Sequence, residues 1–111
     1  MKHFYNYKWV LQRISALLLI PLSFWFIYQC VTLQNYNYLE IKFFFKSIFN
    51  SLFFLIMMLT MLFHSKIGLE TIIEDYVSEK NLQIFYKRII NFISIISYLL
   101  VIVAIIKLNI F

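Results

Sequence analysis

Ser47-Ile48-Phe49-Asn50-Ser51-Leu52-Phe53-Phe54-Leu55-Ile56-Met57-Met58-Leu59-Thr60-Met61-Leu62-Phe63-His64-Ser65-Lys66-Ile67 decides the fold class. A helix that spans a bilayer needs about 20 mostly apolar residues, and this run supplies them with no charge before Lys66. Its apolar residues are continuous, without the ten-residue alternation of a membrane β-barrel, so a helix is predicted rather than a strand. The helical pattern continues past Lys66 toward Ile73. Working outward, two more runs have the same character. Upstream, Ile14 to Leu33 contains only Ser15, Ser23, Gln29 and Thr32 as internal polar groups. Pro21 lies inside that run and removes one helical hydrogen bond, which predicts a kink. Downstream, a third run ends at Ile106. The reading is all-α: three transmembrane helices over about residues 14–33, 47–70 and 86–106, running up, down and up.

Composition agrees. The chain has 111 residues, 63% of them hydrophobic and only 14% charged, with one Gly and one Pro. An average soluble protein is about 45–50% apolar, and a small domain has too little interior to hide this excess. A soluble globule, a disordered tail and a collagen-like fibre are excluded, leaving one small membrane domain over residues 1–111. The single cysteine, Cys30, cannot form an internal disulfide or a cysteine-rich metal site. The richness in Phe, Ile, Tyr, Asn and Lys is the bias of an AT-rich genome, as in an organelle or endosymbiont.

The net charge of +5 is read as topology control rather than nucleic-acid binding, because the basic residues sit between apolar runs. Lys2, Lys8 and Arg13 precede the first span, and Lys66, Lys80, Lys87 and Arg88 flank the turn between the second and third. Lys42, Lys46 and Lys107 fall on the other side. Seven against three places the N-terminus on the cytoplasmic or matrix side. Tyr5, Tyr7 and Trp9 before the first span, and Tyr36 and Tyr38 after it, suit interfacial belts. A cleaved signal peptide is disfavoured, since the first run is long and no A-x-A-like site follows.

Polar groups in a membrane are costly, so each needs a reason. His64 offers an imidazole suited to haem iron, and Gly68, four residues on, shares its helix face. The other reading is a histidine hydrogen-bonded to a neighbouring helix, with Gly68 as a packing notch. A bis-histidine haem would need its second ligand from another chain. Glu70, Glu74, Asp75, Tyr76 and Glu79 cluster where the second span leaves the membrane. Tyr76 is twelve residues beyond His64, about 18 Å along a straight helix. Its hydroxyl could donate to a quinone carbonyl while Asp75 orients it or relays a proton; an acidic turn with a belt tyrosine is the plainer alternative. Arg13 could snorkel to phospholipid or clamp a carboxylate such as a haem propionate. Lys2, His3 and Lys8 are read as surface residues. No phosphate loop, nucleophile elbow or intramembrane carboxylate pair is present, and no buried charge lines a transport path.

Together, Trp9-x-x-Gln12-Arg13-x-Ser15-Ala16 and His64-Ser65-Lys66-Ile67-Gly68-Leu69-Glu70-Thr71-Ile72-Ile73-Glu74-Asp75-Tyr76, followed by a plain third span, resemble the small hydrophobic membrane-anchor subunit of succinate dehydrogenase, respiratory complex II. The resemblance covers essentially the whole chain. It implies a single membrane-anchor domain that is not itself an enzyme but a non-catalytic subunit of one. It implies that His64 is an axial ligand of haem b shared with a companion anchor chain. It implies that Tyr76 and Asp75 contribute to the ubiquinone site and that Arg13 lies near the haem propionates. The implied partners are a flavoprotein, an iron–sulfur subunit, the second anchor (cytochrome b) subunit and lipid, with no nucleic acid, serving the tricarboxylic acid cycle and respiratory electron transport. The short N-terminus, without a targeting extension, suggests an organelle-encoded chain of the mitochondrial inner membrane, with the bacterial inner membrane as the alternative. A fumarate reductase anchor, or a cofactor-free structural subunit of another complex, stand as other functions.

Overall fold

The computed structural model describes residues 2–110, with side chains from residue 7 to residue 110. Lys2, His3 and Tyr5 lie outside the residues whose side chains are described. Four helices follow in order: α1 (Lys2–Leu33), α2 (Tyr38–Lys46), α3 (Ile48–Tyr76) and α4 (Lys80–Ile110). No strand occurs among the described residues. Three segments are long and apolar enough to cross a membrane: Tyr7–Leu33, Ile48–Tyr76 and Lys80–Ile110. The all-α, three-span expectation is therefore met.

The helices overrun the apolar runs. α1 starts well before Ile14 and α4 begins at Lys80, because the flanking Lys, Gln, Leu and Arg residues are good helix formers and nothing there breaks the ladder. α1 is also continuous through Pro21, which leaves the Leu17 carbonyl without its usual donor.

The nine-residue α2 is the unexpected element, since it falls between the first two predicted spans. Its start follows from local chemistry. Asn37 is the N-cap, its side chain accepting from the Glu40 backbone N–H at 2.9 Å, and Glu40 itself sits in the first turn. Its end is closed by side chains from elsewhere. The last carbonyls of a helix have no internal partner, and an unpaired one in an apolar setting costs several kcal/mol. Asn50 Nδ2 donates to the Phe44 carbonyl at 3.1 Å, and the Ser51 hydroxyl donates to that of Phe45. Asn109, near the end of α4, donates to the Phe45 carbonyl at 2.7 Å and to the Ser51 hydroxyl oxygen at 3.2 Å. It also reaches the Lys46 carbonyl at 3.4 Å.

α3 is the middle of the molecule. It packs against both α1 and α4, which barely touch each other. Trp25 meets Phe53 edge-on with ring centroids 5.7 Å apart and Phe26 meets Phe54 at 5.6 Å, while Ser15 meets His64 and Lys8 meets Glu74 further along, which fixes α1 antiparallel to α3. Contact between Asn109 and Ser51 at one end, and Lys87 and Glu74 at the other, fixes α4 antiparallel as well. The whole measures 50 × 25 × 22 Å, matching a helix of about 30 residues at about 1.5 Å each.

The interior is small and partly polar. Phe45, Met57, Ile67 and Ile105 are its buried apolar side chains, beside buried Ser15, Ser51 and Ser94. Leu17, Phe24 and Leu100 instead point outward. Where lipid is the solvent, apolar side chains gain little by turning in, and small hydroxyl residues let helix backbones approach. The pattern is that of a lipid-facing bundle.

The α3–α4 turn is tight. The Val77 N–H donates to the Ile73 carbonyl at 2.9 Å, and Gln83 Nε2 reaches back to the carbonyls of Val77 and, at 3.5 Å, Glu74.

Candidate functional site

One stripe of α1 carries the polar residues that meet α3. Lys8, Gln12 and Ser15 lie at helical spacing on a single face. Antiparallel packing sets them against Glu74, Gly68 and His64 in that order.

His64 is half-buried in α3, and its Nδ1 lies 2.8 Å from the Ser15 Oγ. Ser15 is only 3% exposed, and its hydroxyl donates to the Gln12 carbonyl at 2.9 Å. No other hydrogen bond to the imidazole occurs among the described residues. Gly68 faces Gln12: a Cβ built on it would sit 3.8 Å from Gln12 Nε2, an ordinary contact. Its backbone is plain helix and needs no special freedom. Beside the pair, Leu11, Ile14 and Leu18 of α1 and Leu59, Thr60 and Phe63 of α3 border an open groove of about 240 Å³ that Ser15 also lines.

Arg13 points away from this interface. It is exposed, its guanidinium lies 5.1 Å from the Trp9 ring centre, and it forms no salt bridge among the described residues. The cation–π contact stretches both side chains along the helix surface.

Toward the α1 start, a charged network closes the bundle. Lys8 Nζ lies 3.2 Å from Glu70 and 2.9 Å from Glu74; Lys87 of α4 lies 2.7 Å from the same Glu74 oxygen. Lys66 stands 3.9 Å from Glu70, one turn away. Lys8 thus has partners on α3, where the sequence suggested only a surface residue. No local pattern could pair it, since its carboxylates lie 62 and 66 residues away.

Asp75 and Tyr76 end α3 just beyond this network. Both are exposed, Tyr76 by 84%, so its hydroxyl is open to any partner seated at that end. They do not gather round His64, which lies three turns deeper. The sequence-derived residues therefore form two stations on one helix, joined by the Lys8–Gln12–Ser15 stripe.

The donor set fits haem iron in one way only. No group of three His, Cys, Asp or Glu residues that could hold a metal ion occurs among the described residues. His64 can offer a single imidazole from an apolar span, which suits one of two axial positions and not a self-contained metal site.

Residues 2–104 match the family described as succinate dehydrogenase/fumarate reductase transmembrane subunits. The chain belongs to this family. Among relatives of this family member, the succinate dehydrogenase hydrophobic membrane anchor subunit of Rickettsia prowazekii is 33% identical over 100 residues, covering 87% of this chain and 80% of that protein. The same-named subunit of Rickettsia typhi is 34% identical over 99 residues, covering 89% and 79%. No solved structure matches. The family read from the Trp9–Ala16 and His64–Tyr76 motifs is thereby confirmed. The expectation of a non-catalytic anchor rather than an enzyme agrees with the names these relatives carry. Both are bacterial, so the mitochondrial setting gains no support from them.

Proposed function

We propose that this chain is the membrane-anchor subunit of a bacterial succinate:ubiquinone oxidoreductase. It would hold the flavoprotein and iron–sulfur subunits at the membrane with a companion anchor chain. The observation that carries this reading is the antiparallel pairing of α1 and α3, which engages one ring nitrogen of His64 and leaves the other with no hydrogen bond among the described residues. The names of the Rickettsia relatives favour succinate oxidation over fumarate reduction. The Lys and Arg imbalance favours the α1 start, the α3–α4 turn and Tyr76 on the cytoplasmic face, where a soluble electron donor would dock.

The chain's own residues divide the work. His64 Nε2 would hold haem b together with a ligand from the companion chain. When bound, haem supplies a one-electron store. Arg13, held over Trp9 on the exposed face of α1, carries a charge suited to a propionate. At the exposed end of α3, the Tyr76 hydroxyl would donate to a ubiquinone carbonyl. A donor placed there stabilises negative charge as it develops on that oxygen. Asp75 sets the local charge and can pass a proton to the reduced quinone.

The test is a reduced-minus-oxidised visible spectrum of the complex purified through this chain, beside His64→Ala. A b-type haem signal with flavin bleaching in the wild type, the haem signal lost or altered in the variant, is the expected result. An unchanged haem signal in His64→Ala would reject the ligand assignment. A preparation with neither flavin nor haem would reject the anchor role.

A further inference from the structure

The Ser15–His64 contact contains more information than a helix–helix hydrogen bond. A serine hydroxyl has one hydrogen and two lone pairs. The Ser15 Oγ lies within hydrogen-bond distance of two groups at once: the Gln12 carbonyl at 2.9 Å and His64 Nδ1 at 2.8 Å. A carbonyl oxygen can only accept, so the one hydroxyl hydrogen is committed to Gln12. The second contact is then satisfied only if the imidazole donates, with its hydrogen on Nδ1. A neutral imidazole carries one N–H, so Nε2 is left as a bare lone pair.

We infer that Ser15 is a positioning residue for His64: it fixes the imidazole in the Nδ1–H tautomer and so presents Nε2 as a metal ligand. The inference rests on the haem-ligand reading for its purpose but not for its geometry. Two features make the arrangement firm. Ser15 is 3% exposed, so water does not compete for the hydroxyl. It also sits on α1 while His64 sits on α3, so the tautomer is set by helix packing. Gln12 contributes twice, through its carbonyl to Ser15 and through its side chain beside Gly68, which keeps this segment of α1 seated against α3. Partners in this outer position are general to ligating histidines, and removing one typically weakens metal binding about 10- to 100-fold. A donated Nδ1–H bond also makes the imidazole more electron-rich and favours the oxidised metal.

The decisive experiment needs no cofactor. The sequence has two histidines, so ¹⁵N-histidine labelling of the full chain in detergent, with His3→Gln to remove the other, gives one imidazole to read by NMR. The expected spectrum shows Nδ1 protonated and Nε2 bare. Ser15→Ala is expected to lose this preference and populate both tautomers, whereas Ser15→Thr, which keeps the hydroxyl, is expected to retain it. A wild-type imidazole protonated on Nε2, or a Ser15→Ala spectrum identical to wild type, would overturn the inference. In the assembled complex, Ser15→Ala should weaken haem retention about 10-fold and raise the haem midpoint potential, while Ser15→Thr keeps both. An unmoved potential in Ser15→Ala would equally count against it. Failure of the haem-ligand reading would show separately, as a haem signal that His64→Ala leaves intact.

Discussion

Glu74 ties all three spans together through Lys8 and Lys87, and removing its charge should weaken both ties. A single carboxylate oxygen accepts from Lys8 of α1 at 2.9 Å and from Lys87 of α4 at 2.7 Å. Two unit charges about 4 Å apart attract by about 4 kcal/mol at an effective dielectric constant of 20, but by only about 1 kcal/mol in water. All three side chains are about one-third exposed, so the lower figure governs. Exposed pairs measured by double-mutant cycles give about 0.2–1 kcal/mol each. With two such pairs, Glu74→Gln therefore costs about 0.4–2 kcal/mol, a change of about twofold to thirtyfold in the folded-to-unfolded ratio. The assay is titration of the purified chain from mild detergent into a denaturing detergent, followed by helix content. The informative part is a set of cycles. Lys87→Ala should destabilise the wild type and do almost nothing in the Glu74→Gln background, whereas Lys8→Ala should keep there only the smaller effect of its 3.2 Å pair with Glu70. Added salt should shrink the wild-type effects, because charges at a wet helix end are screened over about 10 Å at 0.1 M ionic strength. Full persistence of both lysine effects in the Glu74→Gln background would refute the shared-node account.

Asn109→Leu removes a donor from the Phe45 and Lys46 carbonyls and should cost about 1–3 kcal/mol in the same titration, with α2 the first segment to exchange its amide hydrogens. Gly68→Ala should leave the isolated chain as stable or more so, by up to about 1 kcal/mol, because the new methyl meets Gln12 at an ordinary distance and alanine favours helix. Tyr76→Phe should leave the fold intact, the side chain being exposed, yet lower quinone reduction in the complex about 100-fold while succinate oxidation by an artificial acceptor survives. Equal loss of both activities would signal failed assembly instead.

The spans were legible because lipid removes the need for a hidden core: hydropathy along the chain reports the solvent directly. His64 stands out in the sequence as a polar group inside an apolar span, and Tyr76 by its place at the end of that span. α2 was not legible, because nine residues between two spans carry too little periodicity, and its end is closed by Asn109 from the far end of the chain. Lys8 was misread for the same physical reason. A lysine near a membrane surface is ordinary, and only the antiparallel register of α1 on α3 brings Glu70 and Glu74 to it. Ser15 stood in the sequence as one hydroxyl among several; its partner 49 residues away gives it a role.

The placement of α3 between two helices that scarcely meet also sets an order of assembly. The contacts made by His64 belong to α1 and α3, which emerge from the ribosome before α4 does. Until α3 arrives, Ser15 has only the Gln12 carbonyl of its own helix as partner. Once the first hairpin closes, the imidazole is already oriented, and α4 then docks onto the free flank of α3 through Lys87 and Asn109. A companion subunit arriving at that stage would therefore meet an oriented imidazole before α4 has docked.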